Sequence, residues 1–275
     1  MNNTVISAMV SMSGIQQRLD LLADNIANSN TVGYKRKEAN FEDTLTRVQN
    51  QTSDLNLPDR ATPSGFTLGF GSRMSQVTVN YAQGSIQETG NMTDLAIQGN
   101  AMFSVKSMKP DGIVAYTRGG DFHIQPDPDD AESAFLVNQL GYVVLNAEGE
   151  PITFPSDAKL SIDAEGNILA TNGEGTTEVG RIALLTAEKP DVLVQKDGNL
   201  FVLAAGVDPA EAMVDTLTLP QEQRASLRQG ALEASNVDLT EAMAEMLQVQ
   251  RAYQLTARAL TSGETMMGLA NNLRG

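Results

Sequence analysis

Cysteine is absent from the sequence, and its 275 residues include a single histidine. Disulfide frameworks, thiolate zinc sites and histidine-rich metal sites are therefore excluded. Aromatic residues are also scarce, at 5%, which disfavours a site that stacks sugar rings. No apolar run approaches the roughly 20 residues that a helix needs to span a bilayer. We therefore predict no metal, no cofactor and no membrane insertion.

Positive charge is in short supply as well. The chain has 34 acidic and 19 basic side chains, which gives a formal net charge of -15. Such a charge opposes binding to nucleic acid or to an anionic membrane surface. The first residues, MNNTVISAMVSMSG, lack the basic segment and the apolar core of a Sec-type signal peptide. We expect the protein to be soluble or to be exported by another route.

An amphipathic helix is predicted near each end of the chain. In the first helix, apolar residues recur at spacings of three and four, which places them on one face. They are Val5, Met9, Met12, Ile15, Leu19, Leu22 and Ile26. The second helix, from about 236 to 273, alternates spacings of four and three, close to a coiled-coil seam. Its predicted seam is Leu239, Met243, Met246, Gln250, Tyr253, Ala257, Leu260, Glu264, Met267 and Asn271. Its N-cap candidates are Ser235, Asn236 and Asp238.

The middle of the chain is predicted to be rich in β-strands. Short apolar runs such as QVTVNYA, AMFSV, IVAYTR, AFLV, YVVL, ILA, IALL and LFVL are typical of strands. Asp-Gly or Glu-Gly pairs at 111–112, 148–149, 165–166 and 197–198 predict tight turns between them. The segment from Gln49 to Arg73 is rich in Gly, Pro, Ser and Thr and predicts an extended connector.

The two predicted helices must bury their apolar stripes somewhere. They can pair with each other or with other copies of the chain, and Met-rich stripes suit adaptable interfaces. An ordinary helical pair that covers one face of a sheet is equally compatible with the pattern.

Candidate catalytic and metal sites are weak. A triad would have to include His123, but no G-x-S-x-G nucleophile motif accompanies it. The acidic run QPDPDDAES, with Asp127, Asp129, Asp130 and Glu132, lacks the spacing of a calcium-binding EF-hand loop. GEGTTEVGR lacks the G-K-[ST] of a phosphate-binding loop. We predict that the protein is not an enzyme.

Three regions resemble the bacterial flagellar rod and hook protein family. LADNIANSNTVGYKR is similar to its N-terminal signature at Asn25, Ile26, Ala27, Asn28, Thr31, Gly33, Tyr34 and Lys35. LEASNVDLTEAMAEMLQVQRAYQLTARAL is similar to its C-terminal segment at Ser235, Asn236, Val237, Asp238, Gln250, Arg251, Ala252 and Tyr253. GSIQETGNMTDLAIQGNAMFSV, AYTRGGDF and LVNQLGYVVLNAEGEPITFP resemble the blocks between them. The resemblance is collinear over most of the chain and favours a rod subunit, proximal or distal.

The resemblance implies an α+β fold in which the terminal helices pair as a coiled-coil-like unit beside a central antiparallel β-rich domain. We place the N-terminal assembly helix in residues 1–34, the connector in 35–75, the β-rich domain in 76–230 and the C-terminal assembly helix in 231–275.

The implied function is that of a structural subunit of the basal-body rod, which polymerises through its terminal helices into a drive shaft outside the cytoplasmic membrane. The implied partners are other copies, other rod and hook subunits, and the flagellar type III export apparatus. We interpret Asn25 and Asn28, three residues apart, as polar contacts that fix the register of a helix interface. The alternative is a secreted β-rich hydrolase of cell-wall glycan, or a binding module.

Overall fold

The structure is a computed structural model that describes residues 2–43, 47–50, 65–68, 72–108, 112–127, 132–172, 175–196 and 198–273. The chain divides into two compact units. Unit 1 combines Met1–Ala27, Lys37–Val79 and Asp238–Gly275, and unit 2 combines Asn28–Arg36 and Asn80–Val237. Both units are therefore assembled from separate stretches of sequence.

The helices are α1 (Asn2–Ala27), α2 (Pro209–Ala212) and α3 (Leu239–Asn272). The strands before residue 130 are β1 (Lys37–Asp43), β2 (Arg47–Asn50), β3 (Gly65–Leu68), β4 (Ser72–Val79), β5 (Ile86–Glu88), β6 (Leu95–Gln98), β7 (Met102–Ser107), β8 (Val114–Thr117) and β9 (His123–Pro126). Those after it are β10 (Ser133–Val137), β11 (Tyr142–Val144), β12 (Thr153–Pro155), β13 (Lys159–Ile162), β14 (Asn167–Asn172), β15 (Gly175–Arg181), β16 (Leu184–Ala187), β17 (Leu193–Gln195), β18 (Leu200–Leu203), β19 (Met213–Asp215), β20 (Ser226–Gln229) and β21 (Ala231–Glu233).

Unit 1 contains both long helices and two strand pairs. β1 pairs with β4 and β2 pairs with β3, both antiparallel, and the first pair carries a register shift between Asn40 and Phe41. Helix α1 packs against α3 and against the β1–β4 pair. Gln16 Nε2 donates to Tyr253 Oη over 3.3 Å, and Arg18 forms an ion pair with Glu245. Because the higher-numbered residue of α1 meets the lower-numbered residue of α3, the two helices run antiparallel.

The predicted apolar stripe of α1 is mostly turned inward: Leu22 is buried, and Met12, Ile15, Leu19 and Ile26 are half-buried. Gly14, Leu22 and Asn25 are buried, while Ile6 and Met9 are exposed. Leu22 alone among these three belongs to the predicted stripe. Among the stripe residues whose side chains the structure describes, Met9 is the exposed one, and burial of the whole stripe against the other helix or other copies stays a prediction.

Helix α3 turns inward part of the predicted seam together with two residues outside it. Ala242 and Val249 are its buried residues, and Met246, Tyr253, Leu260 and Met267 are half-buried. The last four belong to the predicted seam. Leu239, Met243, Gln250 and Glu264 are exposed, so four of the nine seam residues whose side chains are described are not covered within a single subunit. A small residue such as Ala242 lets the helix approach its neighbour more closely than Met243 would.

The β-rich body of unit 2 is antiparallel. Its largest sheet runs in the order β12-β10-β11-β7-β8-β18-β17, with β9 added at β10, and with β16 bridging β7 to β19. β13, β14 and β15 form a separate sheet, β5 pairs with β21, and β6 pairs with β20. Unit 2 also holds the hydrophobic core, in which the rings of Phe103 and Phe122 meet edge to face at 5.2 Å. The prediction of an α+β fold with a β-rich centre is confirmed.

One turn design occurs three times in unit 2. Asn138, Asn146 and Asp163 each accept hydrogen bonds through Oδ1 from the backbone N–H groups two and four residues later, over 2.8–3.0 Å. A glycine follows each of them by three residues. Short polar side chains stabilise such turns by replacing a backbone acceptor.

The predicted strand runs all contain observed strands, and the predicted turns at 148–149 and 165–166 are confirmed. Asp111 and Asp197 of the other two turns lie outside the described residues, as do Asp129 and Asp130 of the acidic run and much of the predicted connector. The described part of that connector forms β1 to β3 and the start of β4. The boundaries proposed from the sequence stay a prediction.

Candidate assembly site

Asn25 closes the end of α1 within unit 1. The side chain is 2% exposed, donates from Nδ2 to the backbone oxygen of Lys37 over 2.9 Å and accepts from its N–H over 3.0 Å. Lys37 Nζ also lies 2.6 Å from Asp24 Oδ2. The amide of Asn25 therefore substitutes for a neighbouring strand at the first residue of β1.

The rest of the N-terminal signature forms a turn. Ile26 is half-buried and Ala27 is exposed. Thr31 Oγ1 donates to Asn28 Oδ1 over 3.1 Å, and the Thr31 N–H donates to the Asn28 carbonyl over 3.2 Å. Asn28 thus ends the helical path, and the chain enters unit 2 through this turn.

Three chain segments meet in a part of unit 2 that we call the junction, formed by residues 33–36, 80–84 and 233–236. Gly33 lies at φ +66°, and a Cβ built on it would stand 2.4 Å from the carbonyl carbon of Arg118. A glycine is therefore required both by the backbone conformation and by the space. The Gly33 N–H donates to the Glu233 carbonyl over 2.8 Å, and Tyr34 beside it is 1% exposed.

A buried ion cluster lies at the centre of the junction. Lys35 Nζ is 2.7 Å from Glu233 Oε1, and Arg118 Nε and Nη2 lie 2.9 and 2.8 Å from Glu233 Oε2. The three side chains are between 0 and 2% exposed. Burying charge at this depth is costly unless every partner is in place.

Backbone groups complete the cluster. Lys35 Nζ donates to the Ala82 carbonyl over 2.7 Å, and the Gly84 N–H donates to Glu233 Oε1 over 2.9 Å. Arg118 Nη1 donates to the carbonyls of Gly99 and Ala101 over 2.7 and 2.9 Å. One carboxylate cannot neutralise two cations, and hydrogen bonds to backbone carbonyl oxygens stabilise the remaining positive charge.

The pKa of Lys35 reflects this imbalance. Burial lowers the pKa of Lys35 below its usual 10.5, and the charge of Arg118 lowers it further. The hydrogen bond to Glu233 and its charge act in the opposite direction. Desolvation is the largest of these effects, so the cluster holds the ammonium group at a cost.

The C-terminal signature joins the same junction through Asn236. Its Oδ1 accepts from the Arg36 N–H over 2.7 Å, and its Nδ2 donates to the carbonyls of Asn80 and Ala82 over 2.8 and 3.0 Å. Ser235 Oγ accepts from the N–H of half-buried Val237. The structure thus brings Gly33, Tyr34, Lys35, Ser235 and Asn236 together.

Helix α3 begins at Leu239, separated from the last junction residue in the sequence by Val237 and Asp238. Asp238 Oδ1 accepts from the N–H groups of Thr240 and Glu241 over 2.8 and 3.1 Å, so Asp238 is the N-cap among the three candidates. Further along α3, Gln250, Arg251 and Ala252 are exposed, and Tyr253 is half-buried against Gln16. The structure does not bring these four residues to the junction.

A metal site, a histidine-based catalytic site and a membrane-spanning helix each place requirements on the described residues. They contain no group of three or more His, Asp or Glu side chains arranged to hold a metal ion. His123 lies exposed in β9. None of the helices in these ranges combines the length and the apolar character needed to cross a bilayer.

Three family descriptions match successive parts of the chain. Residues 7–35 match "Flagella basal body rod protein", 96–170 match "Flagellar hook protein FlgE/F/G D1 domain", and 228–273 match "Flagellar basal body rod FlgEFG protein C-terminal".

Full-length relatives agree with these matches. The chain is 32% identical over 278 residues to the flagellar hook-basal body complex protein FlhP of Bacillus subtilis, with 100% of both chains covered. It is 32% identical to the flagellar basal-body rod protein FlgG of Borreliella burgdorferi, with 98% and 97% of the chains covered. It is 31% identical to FlgG of Bacillus subtilis, again with both chains covered completely.

The chain belongs to the flagellar basal-body rod protein family. It is therefore a structural protein of the basal body and not an enzyme, and the alternative of a glycan hydrolase is not supported. The buried ion cluster takes one residue from each part of the chain that matches a description of this rod protein family. Lys35, Arg118 and Glu233 fall in the first, second and third matched range respectively.

The sequence does not identify Arg118 and Glu233 as site residues. Both lie inside segments that resemble the rod protein family, AYTRGGDF and LEASNVDLTEAM, but in neither segment does a local pattern separate them from surface charges. Arg118 ends the predicted strand run IVAYTR, and that signal is weak because most charged residues next to strands are solvated.

Proposed function

We propose that this protein is a subunit of the flagellar basal-body rod and that it polymerises through its two terminal helices into a tubular shaft that transmits torque. On this proposal the helices pair in a coiled-coil-like manner, and other copies together with other rod and hook subunits supply the remaining partner surfaces. The subunits reach their place through the flagellar type III export apparatus. Torque passes through many repeated interfaces rather than through one site.

The contacts between α1 and α3 support the pairing of the two ends. The Arg18–Glu245 ion pair and the hydrogen bond from Gln16 to Tyr253 set the helices antiparallel. Buried Gly14 and Ala242 leave room for close approach of the helix backbones. Leu239, Met243 and Leu247 of α3 stay exposed in the single subunit, so helical surface remains available to other chains.

The observation that carries the proposal is an exposed apolar surface on α3. Leu255, Met266 and Leu269 are 65%, 63% and 65% exposed. At 3.6 residues per turn, they lie roughly 100–160° around the helix from buried Val249. A helix that faces its own subunit on one side and presents apolar residues on another is suited to neighbours on both sides.

Asymmetric contacts of this kind produce a filament. If one face of α3 meets α1 of its own chain and another face meets a different copy, the contact is head-to-tail. Such contacts generate an open helical assembly whenever the rotation does not close into a ring. The junction would then hold the segments that lead into α1, β1 and α3 in fixed positions within unit 2.

The proposal is tested by replacing Leu255 and Leu269 together by Gln. The variant should keep the melting temperature of unit 2, because neither residue belongs to that unit. Polymerisation, followed by sedimentation, and incorporation into basal bodies should both fail. Motility of cells that carry only this variant gives the same answer in vivo.

Met92→Gln is the matched control. Met92 is 65% exposed but lies in unit 2, so its replacement removes a similar apolar surface without touching the helices. The control should assemble normally. Normal rods from the Leu255 and Leu269 double variant would refute assembly through α3.

A further inference from the structure

A cleft of about 310 Å³ lies in unit 2 where four turns converge. Its lining comes from Asn30–Val32, from Gly119 and Asp121, from residues 138–140 and from Gly198 and Asn199. The volume is at the lower end of the range typical of small-molecule sites. It suits one side chain of a partner better than a large ligand.

The cleft combines a small aliphatic surface with polar side chains. Val32 and Leu140 supply the aliphatic surface, and Leu140 is 55% exposed. Gly119 and Gly198 contribute backbone without side chains. Asn199 Nδ2 donates to the Val32 carbonyl over 2.8 Å, which holds two of the turns together.

Asp121 places a carboxylate in this cleft. No basic side chain in the part of the chain that the structure describes forms an ion pair with it. Burial raises the pKa of Asp121, its own N–H lowers it, the nearby charge of Asp94 raises it, and His123 lowers it. A cation bound beside this carboxylate would offset both the burial and the repulsion from Asp94.

Asn138 adds a hydrogen-bond donor. It is 6% exposed, and its Oδ1 accepts from the N–H groups of Leu140 and Tyr142 over 3.0 and 2.8 Å. Asn138 lines the cleft, and its Nδ2 has no acceptor among the described residues. A partner's carbonyl oxygen could satisfy that amide.

We propose that this cleft binds an arginine or lysine side chain presented by a second copy of the chain, with the cation at Asp121 and the aliphatic stem against Val32 and Leu140. Long basic side chains combine an apolar stem with a charged end, which matches this lining. The proposal rests on the proposed function, since it needs copies that meet in a polymer.

The charge balance of the chain favours a second copy as the source of the cation. Copies with a formal net charge of -15 repel one another, and a cation-carboxylate contact between them would offset part of that repulsion. Arg251 and Arg258 are exposed on α3 and have no ion pair in the described ranges. The chain therefore carries cations that are available to another copy.

A thiol placed in the cleft tests its occupation. The chain has no cysteine, so Gln139→Cys creates a single reactive group at an exposed position of the lining. Ala147→Cys and Ala164→Cys occupy the same place in the two sister turns, outside the cleft, and are exposed. Maleimide should label the Gln139→Cys variant at least tenfold more slowly in polymers of this chain than in the monomer, and the two control variants should be slowed much less.

The charge of Asp121 is tested by Asp121→Asn, with Glu148→Gln as an exposed control. Loss of the charged partner should raise the critical concentration for polymerisation about tenfold, while the control leaves it unchanged. Thermal unfolding of the monomer checks that both variants fold. An unchanged critical concentration for Asp121→Asn would overturn the role of the carboxylate.

The outcomes separate this proposal from the proposed function. If the wild-type chain enters no polymer and no basal body, the proposed function fails first. If the chain polymerises and the thiol of Gln139→Cys stays as reactive as the thiols of the two control variants, the cleft proposal alone is wrong. Protection already in the monomer, or only where other flagellar proteins are present, would identify another occupant and would equally overturn the second copy.

Discussion

Lys35 and Glu233 form a buried ion pair with Nζ and Oε1 2.7 Å apart, although 198 positions separate them in the sequence. Arg118 binds the other oxygen of the same carboxylate. One acidic side chain therefore links the two signature regions of the family to the β-rich body of unit 2. This arrangement makes the stability of unit 2 depend on residues near both ends of the chain.

Glu233→Gln should destabilise unit 2 by about 3–5 kcal/mol, because it leaves two buried cations without a counter-charge. Urea unfolding followed by circular dichroism measures the change. Glu88→Gln is the matched control, since Glu88 pairs with Arg228 at 74% exposure. Exposed pairs contribute roughly 0–1 kcal/mol. Equal effects of the two variants would contradict the importance of burial.

The stability of the protein should depend on the titration of Lys35 at alkaline pH. Its pKa in the folded state is below the usual 10.5, so the unfolded chain binds more protons in the interval between the two values. The contribution of Lys35 to the free energy of unfolding therefore rises with pH across that interval and falls as the pH drops through the folded pKa.

Comparison with Lys35→Met measures this contribution. The difference in unfolding free energy, wild type minus variant, should increase from neutral pH to above 10.5. A difference that decreases with pH would show that the pKa of Lys35 is raised rather than lowered.

Gly33→Ala should be strongly destabilising, because the new Cβ would meet the Arg118 backbone at 2.4 Å as well as adopt φ +66°. Gly90→Ala is a control with φ +76° and nothing within 4 Å. The control should cost roughly 1–2 kcal/mol from the left-handed backbone alone. Calorimetry of both variants isolates the steric contribution, which should exceed that value. Similar melting temperatures would refute the close approach.

Asn25→Ala should destabilise unit 1 by about 1–3 kcal/mol, because both backbone groups of Lys37 lose their partner. Asn28→Ala removes the acceptor of Thr31 Oγ1, which is less buried, and should cost less. The double variant should leave the melting of unit 2 nearly unchanged and impair rod assembly. Normal motility of the double variant would contradict the role in assembly assigned to these asparagines.

Amide hydrogen exchange in the dilute monomer should divide α3 into two parts. Residues 239–253 contact α1 through Glu245 and Tyr253 and should exchange slowly. Residues 254–272 expose Leu255, Met266 and Leu269 and should exchange faster, then slow down on polymerisation. Uniform protection of α3 in the monomer would refute ordering on assembly.

The sequence predicted both long helices well because each has a pattern that repeats over more than 20 residues. It predicted the inward side of α3 only in part. Met246, Tyr253 and Leu260 suit a seam completed either by Met243 and Gln250 or by Ala242 and Val249. Hydrophobicity does not distinguish clearly between these two sets, whereas close packing of α3 against α1 favours the small residue Ala242.

The junction could be predicted only in part. Tyr34 and Lys35 were identified through their resemblance to a family signature, and Asp238 through its capping chemistry. The partners of Lys35 could not be derived, because a contact across 198 positions leaves no periodicity or spacing in a single sequence. The cleft around Asp121 was missed for the same reason, since its four turns are distant in the chain.

The division of both units among separate stretches of sequence sets a rule for building chimeras from two members of this family. A donor segment cut at residue 230 would leave Glu233 behind, and one that began at residue 80 would leave Lys35 with the recipient. In either graft, Arg118 would come from one parent and Lys35 or Glu233 from the other. An exchange of the β-rich body should therefore carry residues 28–36 and 80–237 together, so that the charged trio is inherited as one set.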